Sequence, residues 1–147
     1  MPRLLIFAPC ERVILANDQT ISLITLVETL QLQIAPDQEI PEGADLAAPF
    51  AWQAISLWTK DADDPPDLAF DQKIQLQMPD GTVFVELTLT TQFTPDKKNG
   101  RAIFKVLGFP IVRESGSADV KLFARFQGKE WLEAASFPIL LSVPQKQ

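Results

Sequence analysis

Val83, Val85, Leu87 and Leu89 alternate with Phe84, Glu86, Thr88 and Thr90, so successive side chains point to opposite faces of a sheet. The same two-residue period returns at Ile74, Leu76 and Met78 against Lys73, Gln75 and Gln77, and again at Val120, Leu122, Ala124 and Phe126. Clusters of Pro, Gly, Asn and Asp close these runs, as turns require. A chain patterned in this way folds as strands joined by short connections, without the dozen-residue helical crossovers of a parallel α/β sheet. The predicted class is all-β: an antiparallel two-sheet sandwich of about eight or nine strands, immunoglobulin-like or C2-like in strand order.

Size and apolar content bound the organisation. A chain of 147 residues, 46% of them apolar, buries roughly 70% of its unfolded surface around one core, so a single β-sandwich domain over residues 1–147 is expected. Residues 4–8 and 13–16 read as a strand interrupted by Pro9-Cys10-Glu11-Arg12. Residues 21–34 read as strand rather than helix because of their β-branched content. Residues 35–49 are the longest loop and 50–60 a central strand, on which Trp52 and Trp58 share parity and face the core. Pro79-Asp80-Gly81 turns 68–78 into 82–93 as the clearest hairpin. Pro95 to Gly100 reads as a second turn, with Asn99-Gly100 able to supply positive φ, before the strand 101–112. Residues 119–127, 130–135 and 137–143 close the fold around Gly128-Lys129.

Charge and residue types then exclude functions. The net charge of −6 repels phosphate backbones, so nucleic acid is not an expected partner. The absence of His and the single Cys remove the commonest general acid-base groups and transition-metal ligands. Met1 to Cys10 pairs Arg3 with an apolar stretch in the manner of a lipoprotein signal. Residues 4–8 are shorter than the ~7–15 residues of a signal core, and the segment reads as the first strand. No run approaches the ~20 apolar residues of a membrane-spanning helix. A lone Cys10 makes no internal disulfide, which points to the cytoplasm and to a small buried hydrophobe rather than a reactive thiol.

Cys10-Glu11-Arg12-Val13-Ile14, followed after a polar turn by Ile21-Ser22-Leu23-Ile24, resembles the opening of a family of small, uncharacterised bacterial β-sandwich proteins: a cysteine-glutamate strand, a hairpin, then a serine-leucine strand. The hairpin at Pro79 to Gly81 and the closing hairpin around Gly128, with its second strand ending at Pro138 to Val143, fit the same pattern. The resemblance implies a two-sheet immunoglobulin-like or C2-like fold and carries no activity with it.

The densest polar group is Asp61, Asp63, Asp64 and Asp67 with Asp71, beside Pro65-Pro66. Hard oxygen donors on an end loop suit Ca²⁺, which takes ~6–8 of them. Glu39, Glu42 and Asp45 are the acids that a fold can bring beside that loop. Lys97, Lys98, Arg101 and Lys105 are the one local basic group, suited to an anion or an acidic partner. Trp131, just past the final tight turn, is the aromatic assigned to a partner contact. Ser22, Ser56 and Ser136 lie within strand runs rather than at a glycine-flanked elbow, and no glycine-rich phosphate loop is present. No enzyme and no cofactor are expected. The expected role is a non-catalytic module that binds another protein or assembles with itself. The alternative is a Ca²⁺- or lipid-surface-binding C2-like module using the loop from Asp61 to Asp71.

Overall fold

The computed structural model describes residues 1–18, 20–31, 47–110, 112 and 115–143. Within them lie nine strands: β1 (Arg3–Leu15), β2 (Ile21–Leu26), β3 (Thr29–Gln31), β4 (Ala47–Thr59), β5 (Ala69–Gln77), β6 (Val83–Gln92), β7 (Asn99–Pro110), β8 (Gly116–Phe126) and β9 (Leu132–Ser142). They pack as a four-stranded sheet ordered β2-β1-β4-β7 and a five-stranded sheet ordered β3-β9-β8-β5-β6. The protein is a β-sandwich. The order β1-β4-β7 over β9-β8-β5-β6 parallels strands A-B-E and G-F-C-C′ of immunoglobulin-like sandwiches. Among the described residues no helix is long and apolar enough to cross a membrane.

Two departures from the expected strands have local causes. Residues 9–12 do not break β1, which runs unbroken through Pro9. A strand residue points its N and O to the same side, and the Pro9 carbonyl accepts from Val27 N at 3.0 Å. The missing N–H therefore faces the point where β2 leaves the sheet, and costs no bond to β4. The second departure is that the sandwich is not wholly antiparallel. Val27 hangs on the first sheet, while the Glu28 carbonyl accepts from Leu140 N on the second. The chain thus crosses between sheets without a reversing turn, and β3 lies parallel to β9. Residues 32–46, which hold most of the expected long loop with Glu39, Glu42 and Asp45, lie outside the described residues, as does Gln19.

The core follows strand parity. Trp52, Ala54 and Trp58 of β4, with Ala102, Phe104 and Val106 of β7, face Phe70, Ile74 and Leu76 of β5 and Val120, Leu122 and Ala124 of β8. Trp58 meets Phe70 edge-on at 5.1 Å, and Phe70 stacks on Phe93 and Phe126. Fully burying one such side chain stabilises by about 1.5–3 kcal/mol. A group of buried polar side chains crosses this core. Gln72, fully buried on β5, accepts from Ser56 Oγ at 2.6 Å and Trp58 Nε1 at 2.8 Å, and donates to Thr91 Oγ1 at 2.6 Å. It ties β4 of one sheet to β5 and β6 of the other.

The turns use their glycines differently. Gly81, at φ 87°, ends the Met78 to Gly81 turn, with Gly81 N donating to the Met78 carbonyl. Gln127 and Gly128 both have positive φ, as a two-residue hairpin of the primed type needs. Gly100 corrects the sequence reading. It lies in β7 without positive φ, and an added Cβ would sit 2.9 Å from Phe93 Cε1. Close packing on Phe93, not turn geometry, demands glycine there.

Candidate binding surface

Among the described residues the acids of this segment are held by separate partners. Asp64 lies 2.9 Å from the Met1 ammonium, and Arg3 Nε reaches Asp61 Oδ1 at 3.2 Å. Burial pushes the Asp64 carboxyl upward, but the ammonium and the Asp61 amide hold it below the usual carboxylate range. Asp63 and Asp67 are exposed apart from this pair, and the Asp67 carbonyl accepts from Gln92. Asp71 is not in the loop at all: it lies on β5, bound by Arg125 at 2.8 Å and by Thr90 at 2.8 Å, and these bonds lower its pKa. Among the described residues no three Asp, Glu or Cys side chains converge as metal ligands.

Trp131 sits beside the outer face of the five-stranded sheet. Lys73 Nζ and Arg125 Cζ each lie 4.5 Å from its ring centroid, and Lys73 also lies 5.2 Å from that of Phe123. With Asp71 on Arg125, this forms a continuous row of Thr90, Asp71, Arg125, Trp131, Lys73 and Phe123. The ring is half-buried and engaged with cations of its own domain. Such contacts are worth about 0.5–1 kcal/mol each at exposed sites, and here they fasten the β8–β9 turn onto β5. Trp131, in the β8–β9 connection, is not among the residues that line a cavity with Lys97, Lys98 and Arg101.

Lys97, Lys98 and Arg101 do come together. They line a cavity of about 720 Å³ with Thr20, Ile21, Leu57 and Thr94. Thr20 and Ile21 belong to the β1–β2 hairpin, and their presence beside Leu57 reveals its path. Cys10 pairs with Gln53 of β4, and Ile21 pairs with Leu15. A straight hairpin would hold Ile21 roughly 30 Å from Leu57 at the ~3.3 Å rise of a strand residue. The hairpin instead folds back beyond Cys10. Gln53 and Leu57 have the parity opposite to inward-facing Trp52 and Trp58, and Gln53 Oε1 accepts from Val13 N at 2.9 Å. The arm consequently lies over the outer face of the four-stranded sheet. That accounts for Cys10 and Ile55, which point away from the inter-sheet core and are nonetheless 0% exposed. Desolvation raises the Cys10 thiol pKa.

The arm carries apolar residues on both parities, and both leave side chains exposed: Leu15 at 52% on the face of Val13, Ile21 and Leu23, and Ile14, Ile24 and Leu26 at 44% on the other. Ile6 on β1 and Leu107 on the edge strand β7, at 80%, extend the exposed apolar set. None of these was singled out from the sequence. The available signal was the continuous apolar stretch of Val13, Ile14 and Leu15 opposite Ile21 to Leu26, since a hairpin apolar on both faces covers one surface and presents another. No family model matches the chain, and no curated protein matches it.

Proposed function

We propose that the chain is a non-catalytic β-sandwich module that binds another protein, or a second copy of itself, through its folded-back β1–β2 arm. The observation that carries this reading is the exposed apolar side chains on both faces of the arm, Ile14, Ile24 and Leu26 on one and Leu15 on the other, because apolar surface left open beyond scattered single residues marks interaction sites. The non-catalytic part comes from composition, with no His in the chain, and from a Cys10 thiol that burial keeps protonated and hence a poor nucleophile. A cytoplasmic setting belongs to the same reading, since one cysteine closes no internal disulfide. The resemblance to small bacterial β-sandwich proteins is compatible with it and adds no activity.

The test pairs sedimentation velocity over a wide concentration range with capture from a host lysate, using wild type and Leu15→Lys/Leu26→Lys in parallel. Concentration-dependent association, or a defined partner, that the wild type shows and the variant loses supports the reading. A wild type that stays monomeric and captures the same proteins as the variant overturns it.

A further inference from the structure

We propose that the cavity between the arm tip and the start of β7 receives an acidic, extended segment of a protein partner, read by Lys97 and Lys98. This rests on the protein-binding reading above and names what one part of the partner must carry. Among the described residues the cavity lining holds no acidic side chain, and Lys97, Lys98 and Arg101 are its charged groups. A local cationic concavity on a chain of net charge −6 runs against the field of the whole molecule, and so selects negative ligands. Lys97 and Lys98 are exposed and form no ion pair among the described residues.

The neighbouring acids do not fill this role. Lys97 and Lys98 also face a second concavity with Asp61, Asp64 and Asp96, but Asp61 and Asp64 are bound to Arg3 and the Met1 ammonium, and Asp96 accepts from the Thr94 hydroxyl, with Lys97 and Lys60 acting on it through space without an ion pair. The lining also offers Thr20, Thr94 and Asn99 as neutral hydrogen-bonding groups, and Ile21 with Leu57 as an apolar strip. A strand-like segment alternating carboxylates with apolar residues matches both, with the carboxylates on the lysines and the apolar side chains on Ile21 and Leu57.

The experiment is fluorescence-anisotropy titration of the full chain with a labelled peptide alternating Glu and Leu, against a matched peptide with Gln for Glu. The wild type is expected to bind the Glu peptide about tenfold more tightly than the Gln peptide, and Lys97→Glu/Lys98→Glu to lose that preference while keeping its melting temperature. Equal binding of the two peptides, an unchanged preference in the variant, or no binding of the Glu peptide overturns the proposal. So does tripolyphosphate binding at these lysines without peptide binding, which assigns the cavity to small anions. Leu15→Lys/Leu26→Lys leaves both lysines in place, so a failed titration with arm-dependent association intact overturns this inference alone. Loss of both overturns the protein-binding reading beneath it.

Discussion

Gln72 sits on the apolar parity of β5, between Phe70 and Ile74, where a polar side chain is tolerated only if every group it brings is bonded. Its amide meets that condition with Ser56, Trp58 and Thr91, and among the described residues no buried side-chain polar atom lacks a partner. Gln72→Leu keeps the volume and strands three partners at once, two donors from β4 and the Thr91 hydroxyl. Leaving buried polar groups unpaired costs about 1–3 kcal/mol each, partly relieved by local water. The expected loss is about 2–5 kcal/mol, or a fall in melting temperature of roughly 5–15 °C for a domain of this size. Thermal unfolding followed by circular dichroism checks this, and a shift below about 2 °C would mean the two sheets do not depend on this amide.

At the scale of elements, the arm is where sequence and structure part. The hairpin at Pro79 to Gly81 was legible because its information is local: Pro at the first central position, Gly where φ turns positive, and alternating runs on either side. The inward faces of β4, β5 and β8 were legible for the same reason, since parity alone places Trp52, Trp58, Ile74 and Leu122. What Pro9 does, what covers Cys10 and where Asp71 points were not, because each depends on a partner far along the chain: Val27 for Pro9, the returning hairpin for Cys10, Arg125 for Asp71. Of the proposed contact surface, the sequence singled out Lys97, Lys98 and Arg101, which line one cavity, but not the apolar arm beside them. The arm's attachment is testable through Cys10. Gln53→Ala removes the acceptor of Val13 N, a bond with a net worth of about 0.5–1.5 kcal/mol. If the arm shields the thiol by local docking, labelling of native Cys10 with a thiol reagent should quicken by roughly two- to tenfold at unchanged global stability. An unchanged labelling rate would show that the arm is held elsewhere.

For the whole molecule, charge and apolar surface make opposite demands that salt separates. The chain carries 13 basic and 19 acidic side chains, so two copies approaching through their apolar arms repel one another, and added salt weakens that repulsion as the screening length falls from about 10 Å at 0.1 M to about 3 Å at 1 M. Contact between the lysine-lined cavity and a carboxylate-bearing segment is an attraction between exposed charges, which the same screening weakens. Raising sodium chloride from about 0.05 M to about 0.5 M is therefore expected to strengthen self-association in sedimentation velocity while loosening the acidic peptide in anisotropy. Ionic bonding through the arm would instead make both responses fall together, and would place the dominant contact in the basic group rather than in Leu15 and Leu26. Opposite responses in one preparation would assign the apolar arm and the cationic cavity to two separable contacts on neighbouring parts of the same sheet.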